Sequence, residues 1–361
     1  MPQIDPAPKR SQRAPCLHKL VLMLVALAML ALLSSPAGAQ ATAPQSETVR
    51  DSGLTVRVFD QDIVTIHTLT SPVDFFANTT YLIETENSLV AVDAQFLLPM
   101  AADMRAYADE LGKPIDRMFI THEHPDHFLG GEAFADVRMY ALGEVSNRIA
   151  EIGQAEVDEK QADFGPDFIA SSFVVPEAVE PGTIEIDGIT LELEKYLDAE
   201  APVQLVVKIP GSGAIITGDI VYSGVHLIMA GQPETWIPVL EQLAATAEEY
   251  PLVLPGHGDP TDPSEYEVNI AWLNTAAELT TTAQSADEFK QGLIDAFPGR
   301  PMEAAIDFVT PFLFPAEVEA AQDEPAEELP MTGSNATPLL VIVGATLVAS
   351  GALFVQRSRK L

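Results

Sequence analysis

From residue 54 onward the chain runs in short stretches of alternating or β-branched apolar side chains. Residues 56–59, 63–68, 81–84 and 89–92 carry this pattern and arrive in pairs, which predicts antiparallel strands joined as hairpins. The period then lengthens. Met100, Met104, Tyr107 and Leu111 fall on one helical face, and Gly112 with Pro114 stops that helix. Residues 117–120 form a short apolar strand that runs directly into Thr121-His122-Glu123-His124-Pro125-Asp126-His127. A polar cluster is thereby set at the C-terminal end of a strand, where layered α/β architectures place reactive groups.

Further on, Asp187-Gly188 between Ile184, Ile186, Ile189 and Leu191 predicts a two-residue hairpin turn. Pro210-Gly211-Ser212-Gly213 joins a second pair, 203–209 with 214–217. Trp236, Leu240, Leu243 and Ala247 predict a helix, residues 252–254 a last strand, and Tyr266, Ile270, Leu273 and Ala277 a later helix. Strands followed by a helix thus occur twice, with no short internal repeat beyond that coarse duplication.

Both ends break the pattern. A basic stretch at 9–19, an apolar run at 20–33, a break at Ser34, Ser35 and Pro36, and the small residues Ala37-Gly38-Ala39 read as a signal peptide over 1–39 with cleavage before Gln40. Cleavage removes Cys16, the chain's one cysteine, so no disulfide is expected. At the other end Leu329-Pro330-Met331-Thr332-Gly333 precedes an apolar run at 339–355 and then Arg357, Arg359 and Lys360. This arrangement resembles the sorting signal of sortase-anchored surface proteins. The resemblance implies that sortase cuts between Thr332 and Gly333 and joins the threonine carbonyl to a wall amine, so that sortase and peptidoglycan are partners and a membrane is engaged only transiently before anchoring. Residues 316–328, rich in Ala, Glu, Asp, Gln and Pro, form a solvated linker. A folded domain is left over 48–315, displayed outside the cell on a bacterial wall.

The formal net charge of −34 repels phosphate backbones, and no nucleic-acid partner is expected. The chemistry concentrates in His122-x-His124-x-Asp126-His127, which holds three of the six histidines remaining after Cys16 and His18 are cleaved away. Imidazoles and a carboxylate packed this closely suit zinc and neighbouring divalent ions.

That motif, Asp93 at the close of the hairpins over 78–93, Thr217-Gly218-Asp219 and Pro255-Gly256-His257-Gly258 resemble, in order, the signature segments of the metallo-β-lactamase superfamily over residues 56–277. The resemblance implies an α+β fold, an αβ/βα four-layer sandwich with two metals on one edge between the sheets. It implies that His122 and His124 hold one divalent ion, that Asp126, His127 and His257 hold the other, and that Asp219 bridges them. Zinc is the expected metal, with manganese or iron as alternatives. Asp126 is also placed to steer an attacking water. One departure stands out: Glu200 occupies the position where the family usually has a histidine. Either Glu200 ligates as a carboxylate, or His226 swings in, or the first metal is weakly held.

Tyr222 and His226 lie beyond the bridging position. They read either as hydrogen-bond donors at the mouth of the site or as ordinary packing, and His67 reads as structural. The expected function is a surface hydrolase that turns metal-activated water on an ester, lactone, thioester, lactam or phosphoester bond of a small molecule. The alternative is a metal-dependent redox or non-catalytic binding module. No basic residue near the motifs is evident to hold the carboxylate of a β-lactam.

Overall fold

The computed structural model describes residues 43–315. The expected signal peptide, linker and sorting signal, with Thr332 and Gly333, lie outside the described residues. Eight strands form the first sheet in chain order: β1 (Ser46–Val49), β2 (Thr55–Gln61), β3 (Val64–Thr70), β4 (Thr79–Glu84), β5 (Leu89–Val92), β6 (Ile115–Phe119), β7 (Met139–Leu142) and β8 (Glu177–Val179). The first five pair antiparallel and the last four parallel, β5 belonging to both runs. Parallel neighbours need a crossover. These are supplied by helix α1 (Leu98–Glu110) after β5, the short α2 (Pro125–Phe128) after β6, and the long α3 (Gly143–Phe164) after β7.

The second sheet comprises β9 (Gly182–Ile186), β10 (Ile189–Leu197), β11 (Val203–Ile209), β12 (Ala214–Ser223) and β13 (Leu252–Gly258), in the order β13-β12-β11-β10-β9. Only β12 and β13 run parallel within it, and α4 (Pro233–Ala244) makes their crossover. Helices α5 (Ser264–Thr282), α6 (Ala286–Ala296) and the single turn α7 (Thr310–Leu313) follow. Among the described residues no helix is long and apolar enough to cross a membrane.

Period-two alternation sorts the side chains into layers. Leu205, Val207, Ile216, Leu252 and Leu254 join the core shared with the first sheet, while Val206, Ile215 and Val253 face Trp236, Leu240 and Leu243 of α4 and Trp272 and Leu273 of α5. On the first sheet the same alternation sends the Tyr81 hydroxyl across the gap to the Pro255 carbonyl. Its neighbour Thr80 points the other way and donates to Met104 Sδ of α1. The result is helix, sheet, sheet, helix, the layering expected from the sequence. Each fully buried large apolar side chain in these layers contributes about 1.5–3 kcal/mol by leaving water.

Main-chain hydrogen bonds between the two halves help close one edge of the sandwich. The Leu205 amide donates to the Thr121 carbonyl, and the Gly258 amide donates to the Ala77 carbonyl, both at 2.8 Å. The ends of β5, β6, β12 and β13 meet there.

Candidate metal centre

Asp93 follows β5 in a left-handed backbone conformation, φ 62°, which turns its carboxylate under the loop after β6. One oxygen accepts from the Thr121 amide and the other from the Thr121 hydroxyl, both at 2.8 Å. The second oxygen also lies 2.8 Å from His127 Nδ1. A proton on Nδ1 is therefore held by Asp93, and the Nε2 lone pair faces the space between the sheets. His257, near the end of β13, is set the same way by a different device. Its Nδ1 donates to the Phe76 carbonyl at 2.7 Å, and Phe76 and Ala77 both sit at positive φ, 68° and 49°. Backbone strain of this kind persists where surrounding structure enforces it, commonly at functional sites.

Asp219 lies within β12 at a break in the β12–β13 register between Gly218 and Tyr222. Its Oδ1 is 3.2 Å from His127 Nε2, and its Oδ2 is 3.0 Å from His257 Nε2 and 3.6 Å from His122 Nε2. Asp126 Oδ2 is 3.5 Å from His127 Nε2 and 3.3 Å from His257 Nε2. On the other side, Glu200 Oε1 is 3.3 Å from His124 Nδ1 and Oε2 is 3.8 Å from His122 Nε2. The donors fall into two groups, His122, His124, Glu200 and Asp219, and Asp126, His127 and His257, with the ligand atoms of each group within 4.8 Å of one another.

Close approach at this edge explains one glycine. A Cβ on Gly256 would lie 1.8 Å from Asp219 Oδ1, so any side chain there would displace the carboxylate.

The electrostatics of the pocket are those of opposed charges held out of water. Burial and the neighbouring His127 push the His122 imidazole well below its ordinary range. For His127 burial pulls the same way, but Asp219, Asp126 and Asp93 outweigh it and the imidazole is raised well above its ordinary range. Asp219 is held well below the usual carboxylate range because His127, His257 and His122 overcome its burial. Burial and the like charge of Asp219 push Glu200 well above that range.

His122 Nε2, Glu200 Oε1 and Asp219 Oδ1 are buried and make no hydrogen bond. Imidazole nitrogens and carboxylate oxygens left unpaired and convergent are what a divalent transition metal satisfies. The residues of the first group therefore fit such an ion, and the second group offers a donor set of the same chemistry, two imidazoles and a carboxylate.

The structure separates the other sequence-derived candidates. Tyr222 is not at a mouth: it is fully buried, its hydroxyl donates to Asp219 Oδ2 at 3.0 Å, and its ring stacks on His257 with centroids 4.8 Å apart. The ring packs beside Trp236 of α4, and through its hydroxyl and the stack it holds two donors in position. His226 is also buried and does not swing in. Its Nδ1 accepts from Trp272 Nε1 at 3.1 Å and its main-chain amide donates to the Pro301 carbonyl, contacts that draw it to α5 and the following segment instead of to either donor group. His67 bonds Tyr107 and Glu84 on the helix side of the first sheet.

Three amides escaped the sequence reading. Gln204 Nε2 donates to Glu200 Oε2 at 3.2 Å. Asn269 on α5 takes both main-chain groups of Tyr222, at 2.9 and 2.7 Å, and so holds the irregular part of β12. Asn78 places Nδ2 3.4 Å from His127 Nε2. Periodicity gives no signal for any of them, and the only pointer was that Asn78 opens the 78–93 segment.

Two family models match the chain. The family model of the metallo-beta-lactamase superfamily matches residues 73–281, and that of the LPXTG cell wall anchor motif matches residues 321–360. A linear primary-alkylsulfatase from Pseudomonas sp. (strain ATCC 19151) is 23% identical over 227 residues, covering 51% of this chain and 42% of that protein. The chain thus spans less than half the length of this curated relative. Among solved structures, a metallo-beta-lactamase from Pontibacter korlensis has a TM-score of 0.48 at 18% identity, covering 61% of this chain and 99% of its own. The DIM-1 metallo-beta-lactamase has a TM-score of 0.47 at 15% identity, covering 64% and 100%. The anchor motif makes this an extracellular protein attached to the cell wall of a Gram-positive bacterium. The superfamily match takes in more than half of the chain, from the turn that fixes His257 to the helix that clamps Tyr222, and the chain belongs to the metallo-beta-lactamase superfamily.

Proposed function

We propose that this protein is a wall-displayed hydrolase whose two donor groups each take a divalent ion, with zinc as the expected metal and manganese or iron as alternatives. The observation that carries the reading is the position of Asp219 between the groups, its two oxygens turned toward imidazoles of both. When bound, two ions sharing one edge supply Lewis acidity that lowers the pKa of water and polarises the oxygen of a scissile bond. The chain's own residues do the rest. Asp93 and the Phe76 carbonyl keep His127 and His257 in the tautomers that present Nε2. Tyr222 holds Asp219, and Gln204 holds Glu200. Asp126 is the most solvent-accessible carboxylate of the two groups, at 16% of its side chain, which suits it to orient the attacking water and take up its proton.

The substrate class is a small molecule with an ester, lactone, thioester, lactam or phosphoester bond. The alkylsulfatase relative adds sulfate esters to that range. A redox reading has one observation in its favour. Setting Asp219 aside, each group offers two imidazoles and one carboxylate, the donor set that non-haem iron also uses.

Metal analysis of the purified protein separates these readings: zinc with hydrolysis of an ester panel supports the first, and iron with a visible chromophore supports the second. On the hydrolase reading His127→Ala and His257→Ala each remove one metal equivalent and nearly all turnover while far-UV circular dichroism stays unchanged. Retention of both ions and of activity in either variant would sink it.

A further inference from the structure

Asn78 is 1% exposed, and its side-chain amide is poorly served by the protein around it. Oδ1 has no hydrogen-bond partner, and Nδ2 reaches only His127 Nε2, at a long 3.4 Å. Because Asp93 takes the Nδ1 side of that ring, Nε2 is the lone pair that His127 has to give, either to the Asn78 N–H or to a cation. A weak hydrogen bond loses that competition to a coordination bond. Once it does, both ends of a buried amide need partners, and leaving them unpaired is costly.

The main chain that carries the amide is held in place. The Asn78 carbonyl accepts from the Ser71 amide at 2.9 Å, and Asn78 pairs with His257 in an isolated antiparallel bridge. On one side the Ala77 carbonyl accepts from Gly258, and on the other the Thr79 hydroxyl donates to the Gly258 carbonyl at 2.7 Å. The main chain is thus stapled to the same segment that carries His257, which aims the side chain at the Asp126, His127 and His257 group.

We infer that Asn78 is a catalytic residue whose side-chain N–H donates to a substrate oxygen drawn to the Asp126, His127 and His257 group, the oxygen on which negative charge develops. A fixed donor in a dry pocket requires no reorganisation as that charge appears. The inference rests on the hydrolase reading above and adds to it the group that meets the oxyanion.

The test uses the wall-released protein loaded with Zn(II) and inorganic phosphate as a tetrahedral oxyanion probe, with affinity followed by calorimetry. Asn78→Ala is expected to keep both ions and bind phosphate roughly 10- to 100-fold more weakly, the range for losing one hydrogen bond to a charged group. Asn78→Asp, nearly isosteric and therefore safe for the fold, is expected to keep the ions and bind phosphate more weakly still, since it replaces the donor with a negative charge. Phosphate affinity in Asn78→Ala equal to that of the wild type would overturn the inference while leaving the hydrolase reading intact. So would loss of one metal equivalent in Asn78→Ala, which would make Asn78 a support for ligands and not for substrate. A wild-type chain that takes up no metal would instead remove the reading beneath it.

Discussion

Glu200 marks the point where this chain departs from the histidine its family usually places there, and the structure brings its carboxylate, fully buried, between His122 and His124. The group that contains it already includes Asp219, so an ion bound there would face two negative charges and two neutral rings. That lowers its Lewis acidity and favours harder ions such as manganese or iron(II) relative to a site completed by a third imidazole. Glu200→Gln is therefore expected to weaken the first ion by at least roughly 10- to 100-fold, the loss seen when even an outer partner of a ligand is disturbed, with the second ion retained. Glu200→His is expected to restore zinc preference and move the rising, acid-side limb of activity to lower pH. Metal stoichiometry on both, with His226→Ala as the control that should lose nothing, decides the matter. Unchanged binding in both Glu200 variants would make the carboxylate a bystander. Most of the donors were legible because they sit in short motifs of chemically unusual residues, as His122, His124, Asp126 and His127 do, while Glu200 was read only from the missing histidine. Asn78, Gln204 and Asn269 were not, since what an amide does depends on which of its atoms the tertiary packing leaves unpaired.

Among the elements, the strands and turns with strong local signals lie where the sequence places them. The Asp187-Gly188 turn between β9 and β10 has φ of 52° and 81° at its two residues, the pair of positive values that a tight hairpin of this type requires. Tertiary structure then gives the turn a second task. Asp187 Oδ2 accepts from the Thr85 and Ser88 hydroxyls, each at 2.7 Å, and from the Asn87 amide at 3.2 Å, tying the β4–β5 turn of one sheet to the other sheet. Those hydrogen bonds from Thr85 and Ser88 lower the Asp187 carboxyl from 3.8 to about 2. A carboxyl depressed on folding adds stability that is present above its unfolded value and lost as pH falls through its folded value. Urea midpoints of the wild type should accordingly drop between about pH 4 and pH 2, and Asp187→Asn should be less stable at neutral pH with a shallower fall over that window. Parallel acid limbs for the two proteins would refute the assignment. The elements that escaped the sequence reading did so for physical reasons. Helix α3 buries Val145, Ile149, Gly153, Glu156, Val157 and Lys160, a stripe with correct helical spacing but with a glycine and two charges in it, so that hydrophobic periodicity is erased. Strand β1 is exposed along its whole length and has no apolar face to announce it.

At the scale of the whole molecule, a metallo-beta-lactamase superfamily domain precedes an LPXTG anchor motif, and the formal net charge of −34 repels other polyanions. The anchor match over 321–360 includes Leu329-Pro330-Met331-Thr332-Gly333 and the apolar run 339–355. By its sequence length such a run stands at the short end of the roughly 17 to 25 residues that span a bilayer. With Arg357, Arg359 and Lys360 behind it, we expect the run to hold the chain at the membrane while the motif is cut. We expect the polar stretch 316–328 to leave the motif accessible to an enzyme at that stage. The mature protein released from peptidoglycan by muramidase should then begin at Gln40 and end at Thr332 joined to a wall-derived amine, as read by intact-mass and peptide mass spectrometry. Thr332→Ala or deletion of 329–333 should leave the protein in the membrane fraction or the medium. Recovery of wild-type protein from the membrane fraction with an intact C-terminus at Leu361 would mean that the apolar run is itself the anchor.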